Sequence, residues 1–122
     1  MNTDEKQWNK LYDLCTDGLL PSPYAELIAY DGETLHNGHM AFFCSHTVLR
    51  DLAQVMPPLL SVLRGRLKQN LEKAYRAFSE YDALRMEEDA LEAILDECDA
   101  VFRANESEIT DILREYARTI KL

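Results

Sequence analysis

The 122-residue chain carries 22 acidic and 13 basic side chains, so its formal net charge is -9. This charge disfavours direct binding to nucleic-acid phosphates and to anionic membranes. Apolar residues make up 47% of the chain and charged residues 29%, a balance typical of a soluble globular protein and not of a disordered one. The length fits a single domain over 1–122 with one hydrophobic core.

The sequence also indicates a compartment. The first ten residues are polar and acidic, without the basic and apolar segments of a secretory signal. The longest apolar run, Val55 to Leu63, is too short to cross a bilayer. Three widely spaced cysteines favour reduced thiols over a disulfide framework, and together these features predict a cytoplasmic protein.

Helices are predicted from the start of the chain, because the Val-, Ile- and Thr-rich runs that sheets need are missing. Thr3 is expected to cap a first helix that ends near Asp17. Ser22 is expected to cap a second helix. This helix should stop at Asn37 and Gly38, residue types that enter left-handed backbone conformations at low cost.

The middle of the chain predicts a short helix and then a long one. The short helix should end at Pro57, because a proline ring is poorly accommodated deeper inside a helix. Pro58 should start the long helix, in which leucines recur at helical spacing through Gly65 to about Phe78 or Tyr81.

Two further amphipathic helices are predicted after a connection at 82–86. The first runs from about Glu87 to Phe102, and the last is capped by Asn105 or Ser107. The expected fold is therefore all-α, a compact bundle of five or six helices in a single domain.

The helix from Glu87 has the most distinctive charge pattern. Five carboxylates lie along one side of it, with about one charge per 3 to 4 Å of axis, close to the ~3.4 Å per charge of one DNA strand. This pattern predicts a surface for a basic protein partner, and the alternative is a solvated face that only aids solubility. The predicted acidic stripe comprises Glu88, Asp89, Glu92, Asp96 and Asp99.

A basic section precedes this stripe. Its cations are expected to pair with acids of the same chain or of a second copy, so a self-complementary homodimer is an open alternative. The section comprises Arg64, Arg66, Lys68, Lys73 and Arg76.

Four metal-binding residue types occur close together at His36, His39, Cys44 and His46. Imidazole nitrogen and thiolate sulfur are ligands that zinc accepts in tetrahedral sets. The spacing matches no established zinc-finger pattern. A metal-binding or small-molecule-binding protein centred on this cluster is the second functional hypothesis.

Sequence motifs of enzymes are missing. The chain has no G-x-S-x-G, HExxH or CxxC pattern and no glycine-rich phosphate loop. We therefore predict a non-enzymatic protein with no catalytic residues and no cofactor.

The segment His36 to Ser45 resembles the motif N-G-G-F-x-Q-F-F-x-N of a bacterial all-helical family of unknown function that includes acidic DNA-mimic proteins. Gly38, Phe42 and Phe43 match the motif, and Asn37 stands where the family has glycine. The other departures are the residues at positions 36, 39, 41 and 45. The resemblance implies an intracellular helical domain that binds proteins through an acidic surface, with Asn37, Gly38, Phe42 and Phe43 packing the turn.

Taken together, the sequence predicts a protein-interaction or regulatory module. Its partner would be a basic protein, and in the more specific form of this hypothesis the module mimics DNA towards a DNA-binding protein.

Overall fold

The computed structural model describes residues 2–48 and 52–122, apart from the side chains of 46–48. This part of the chain is helical without any strand, so the predicted all-α bundle is confirmed. Within it, no helix has the length and apolar character needed to cross a membrane. The six helices are α1 (Thr3–Thr16), α2 (Tyr24–Val48), α3 (Leu52–Val62), α4 (Gly65–Asp82), α5 (Glu88–Asn105) and α6 (Ser107–Ala117).

The first and last helices differ from prediction at their caps. Asn2, not Thr3, caps α1, since its side-chain oxygen accepts a hydrogen bond from the backbone N–H of Glu5 at 2.8 Å. No side chain caps α6, and Asn105 instead donates to the backbone oxygen of Val101 in its own helix. Asn and Thr are both good caps, so composition alone does not choose between neighbouring positions.

Helix α2 consists of two helical segments that meet at Gly38, where the second helix was predicted to stop. Gly38 has non-helical backbone angles, with φ 85° and ψ 174°, and the helix resumes at the next residue. The prediction that the helix stops at Asn37 and Gly38 is therefore confirmed, and a second helical segment follows it directly. The chain turns at Gly38 and presents both halves of α2 to the core.

The helix ends predicted around the two prolines were wrong. Pro57 and Pro58 both lie inside α3, which continues to Val62. The break comes instead before Gly65, whose φ of 53° is left-handed. Helix α3 tolerates the loss of two backbone donors because its apolar side chains are buried: Leu52, Met56 and Leu59.

Helix α5 packs against both α2 and α4. His39 of α2 contacts Asp99, whereas Asn70 of α4 donates to the backbone oxygen of Cys98 at 2.8 Å. Residues of every helix contribute to one core, in which the largest fully buried side chains include Tyr30, Phe42 and Phe102. This arrangement fixes α5 on two sides and leaves its remaining face to solvent.

Candidate functional site

Four of the five residues of the predicted acidic stripe lie together on the solvent side of α5. They are exposed, and none of them forms an ion pair with another described residue. Two of them stand in the first turn of the helix and two in its middle. We call this surface the acidic face: Glu88, Asp89, Glu92 and Asp96.

Asp99 does not belong to the acidic face, and the prediction that it is exposed was wrong. Its carboxylate oxygen Oδ1 lies 2.6 Å from Nδ1 of His39 and accepts a second hydrogen bond from the backbone N–H of His39 at 2.9 Å. The Asp99 side chain is 16% exposed and that of His39 is completely buried. Asp99 therefore joins α5 to α2 and is not available to a partner.

The contact between Asp99 and His39 requires glycine at position 38. A Cβ atom at Gly38 would lie 2.7 Å from Oδ2 of Asp99, and the backbone there has a conformation that L side chains rarely adopt. Because α2 resumes at His39, the Asp99 carboxylate also accepts from the first backbone donor of the new segment, as an N-cap side chain would.

A buried tyrosine completes a chain of three residues. The hydroxyl of Tyr30 lies 2.7 Å from Nε2 of His39. Since a carboxylate only accepts, we assign the imidazole proton to Nδ1, and the Tyr30 hydroxyl then donates to Nε2. We call these three residues the buried triad: Tyr30, His39 and Asp99.

The buried triad is kept uncharged at its centre. Burial lowers the pKa of His39, while the hydrogen bond and charge of Asp99 act in the opposite direction. Burial, followed by the charges of Cys98 and Asp99, raises the pKa of Tyr30 well above its usual value. Tyr30 and His39 are both 0% exposed, so neither side chain can contact a substrate. The role of the buried triad is to hold α2 and α5 together.

The aromatic pair of the predicted motif lies in the core. Phe42 and Phe43 are fully buried, and Phe43 packs against Phe78 of α4 with ring centroids 5.0 Å apart. Of the four residues expected to pack the turn, Asn37 alone is exposed and does not have that role. Gly38, Phe42 and Phe43 therefore have the packing role expected of them.

The histidine–cysteine cluster is not assembled as a metal site in the described part of the chain. No group of three or more potential ligands there could hold a metal ion. His39 is buried with both ring nitrogens hydrogen-bonded, whereas His36 and Cys44 are exposed. The side chain of His46 lies outside the described residues.

A pair of carboxyl groups that the sequence analysis did not single out lies where α2 meets the junction of α5 and α6. Burial, followed by the charge of Glu106 and a hydrogen bond to it, raises the pKa of Asp31 to about 7. Oδ1 of Asp31 and the hydroxyl of Thr34, one turn later, are buried without a hydrogen-bond partner among the described residues. Asp31 and Glu106 are 75 positions apart in the chain, so only the folded structure brings them together.

Two of the five cations of the basic section form ion pairs with acids of the same chain. Arg64 contacts Glu115 at 3.1 Å and Lys73 contacts Glu97 at 3.2 Å, both at exposed positions where ion pairs add little stability. The other cations are exposed and have no ion pair with any described residue: Arg66, Lys68 and Arg76.

Comparison of the chain with protein-family models, with curated proteins and with solved structures gives no significant match. The resemblance of the segment from His36 to Ser45 to an acidic helical family therefore stays a prediction that depends on the motif residues themselves.

Proposed function

We propose that this protein is a non-enzymatic interaction module whose acidic face binds a basic protein partner. The observation that supports the proposal is the set of four exposed carboxylates on one side of α5 with no cation of the described chain bound to them. Neighbouring like charges on a helix repel one another, so a bound cationic surface would stabilise them.

Helix stability accounts for only half of the acidic face. Glu88 and Asp89 lie in the first turn of α5, where negative charge interacts favourably with the helix dipole. Glu92 and Asp96 lie beyond the first turn and gain nothing from the dipole. At a spacing of four residues they repel each other by about 0.2 to 0.5 kcal/mol. Binding to a basic partner would explain why these two positions carry negative charge.

The acidic face is held on a rigid helix. Asp99 fixes α5 to α2 through His39, and Asn70 of α4 fixes it from the other side through the backbone of Cys98. A charged surface on a fixed helix loses little conformational entropy when it binds. The buried triad thus supports the acidic face without belonging to it.

In its specific form, the proposal is that the acidic face replaces DNA on a DNA-binding protein. Glu88 and Asp96 are eight residues apart, which is about 12 Å along the helix axis. Four charges over that length give about one per 4 Å, near the phosphate charge density of one DNA strand. A protein surface that neutralises DNA phosphates with lysine and arginine would be complementary to this pattern.

The test is a double charge reversal, Glu92→Lys with Asp96→Lys. Affinity capture from a host lysate at about 0.05 M salt should lose the partner, and about 0.5 M salt should release it from the unaltered protein. The matched control is Asp13→Lys with Asp17→Lys, which has the same spacing and changes the net charge equally, from -9 to -5. If both variants capture the partner as well as the unaltered protein does, the acidic face is not the binding surface.

The DNA-mimic form needs one further measurement. Double-stranded DNA should displace the captured partner from the acidic face, because both ligands occupy the same cations. A partner that binds DNA and the protein at the same time would contradict mimicry and leave the general proposal intact.

A further inference from the structure

A groove of about 500 Å³ between α4 and α5 is opposite in charge to the rest of the chain. Arg66 and Lys73 line it on the α4 side, and no carboxylate lines it among the described residues. Arg66 is exposed and forms no ion pair with a described residue. We call this surface the basic groove.

A fixed amide lies between the two cations. Asn70 is only 7% exposed, lines the basic groove, and donates from Nδ2 to the backbone oxygen of Cys98 at 2.8 Å. Its Oδ1 atom has no hydrogen bond to a described residue, and this atom keeps some exposure to solvent. The bond to Cys98 therefore orients an acceptor that a ligand N–H can reach.

Three of the four residues that line the α5 side of the basic groove have small side chains, and the fourth is Asn105. Ala100 and Ala104 are exposed there, with Val101 half-buried between them. Small side chains allow the backbone of another chain to approach closely, whereas long ones would hold it away.

We propose that the basic groove binds an extended acidic peptide segment of a partner protein. One carboxylate of the peptide contacts Arg66, a second contacts Lys73, and a backbone N–H between them donates to Asn70. Arg66 and Lys73 are seven residues apart on α4, which is about 10.5 Å. In the extended polyproline II conformation a chain rises about 3.1 Å per residue with three residues per turn, so residues three positions apart face the same side about 9 Å apart. The recognised pattern is therefore two acidic residues separated by two others.

Lys73 of the basic groove is already paired with Glu97, a carboxylate of the chain that does not itself line the groove. Oε2 of Glu97 lies 3.2 Å from Nζ of Lys73, and the two side chains are 71% and 57% exposed. An ion pair this exposed contributes little, so a peptide carboxylate can take its place. Glu97 is then a competitor of the ligand.

A peptide fits the basic groove better than a small dianion does. Exposed cations bind a free carboxylate weakly, because water competes for both groups. A peptide adds the hydrogen bond to Asn70 and contact with the alanines of α5. This proposal is independent of the acidic face, which lies elsewhere on α5 and has the opposite charge.

The test uses the full chain and a fluorescently labelled peptide, uncharged except for two glutamates separated by two alanines. Fluorescence anisotropy should report binding that weakens about threefold in Arg66→Gln and in Lys73→Gln, the effect of losing one exposed ion pair. Glu97→Gln should strengthen binding, since it frees Lys73. The matched control is Arg76→Gln, an exposed and unpaired cation of α4 outside the basic groove, which should leave affinity unchanged.

Four results would overturn the proposal. An equal loss in Arg76→Gln would indicate unspecific attraction, and equal binding of a peptide with glutamine in place of glutamate would exclude carboxylate recognition. Competition by free glutarate at the concentration of the peptide would assign the groove to a small dianion. Self-association that Arg66→Gln abolishes in sedimentation would assign it to a second copy of the chain.

Discussion

The carboxylate of Asp99 contacts His39 twice, at the backbone N–H and at ring atom Nδ1, with distances of 2.9 and 2.6 Å. One side chain of α5 thus binds both the backbone and the ring of a residue on α2. Hydrogen bonds to a charged acceptor are roughly twice as strong as those between neutral groups. The link between the helix that carries the acidic face and the rest of the core depends strongly on this carboxylate.

Asp99→Asn should destabilise the protein although it conserves the shape of the side chain. Both bonds from His39 end on Oδ1, which an amide keeps, but the amide carries no charge and each bond loses its charge assistance. We therefore expect a loss of about 2 to 3 kcal/mol in the free energy of unfolding. Urea denaturation measures it. Asp96→Asn, an exposed change three residues earlier, is the matched control and should alter stability by less than about 0.5 kcal/mol. Equal effects of the two substitutions would contradict the role assigned to Asp99.

Gly38→Ala and Gly32→Ala should change stability in opposite directions. At Gly38 the added Cβ would meet Asp99 at 2.7 Å and the backbone is strained for any L residue, so we expect a loss of at least about 2 kcal/mol. Gly32 lies in the regular part of α2 with nothing within 4 Å of an added Cβ. Alanine there should stabilise the helix by about 0.5 to 1 kcal/mol. Thermal unfolding of the two variants measures both changes in stability. A Gly38→Ala protein as stable as the unaltered one would contradict the close approach of Asp99 to Gly38.

Periodicity and residue type predict much of this fold. The spacing of apolar residues places the helices, and the aromatic pair Phe42 and Phe43 lies in the core as expected. The prolines of α3 wrongly predict helix ends, because the free energy gained by burying Leu59 and its neighbours exceeds the cost of the two missing backbone donors.

The true role of Asp99 is not visible in the helical pattern of α5. It shares a side of the helix with Glu88 and Glu92, so the pattern of α5 groups it with the exposed carboxylates. A usable signal was His39, a titratable side chain inside an apolar cluster, since a buried imidazole needs polar partners. Which carboxylate provides the partner depends on how α2 and α5 pack.

The carboxyl pair of Asp31 and Glu106 should make stability depend on pH in a predictable direction. Asp31 has a pKa of about 7 in the folded protein against 3.8 ordinarily. Because the pKa of Asp31 is raised on folding, the protonated group stabilises the folded protein fully below pH 3.8. This stabilisation is lost as the pH rises to about 7. Above that, two carboxylates repel each other in a half-buried site.

Asp31→Asn tests this pH dependence. An asparagine can donate to the ionised Glu106 and never becomes charged, so the variant should be more stable than the unaltered protein by about 2 kcal/mol near pH 8. The gain should shrink or reverse near pH 4, where Asp31 is protonated and already donates. Melting temperatures of both proteins across this range give the difference. A gain that does not vary with pH would show that the pKa of Asp31 is not raised in the folded protein.

The buried triad should act as one unit, which a double-mutant cycle can measure. Tyr30→Phe removes the hydroxyl that donates to Nε2 of His39 and leaves that nitrogen buried without a partner, at a cost of about 1 to 3 kcal/mol. Tyr30 and Asp99 bind opposite nitrogens of one imidazole, so losing either partner changes what the other contributes. We expect the loss of stability in the double variant Tyr30→Phe with Asp99→Asn to differ from the sum of the two single losses by at least about 0.5 kcal/mol. The control cycle pairs Tyr30→Phe with Asp96→Asn, which share no partner, and should be additive. Additivity in both cycles would mean that His39 does not transmit the interaction between Tyr30 and Asp99.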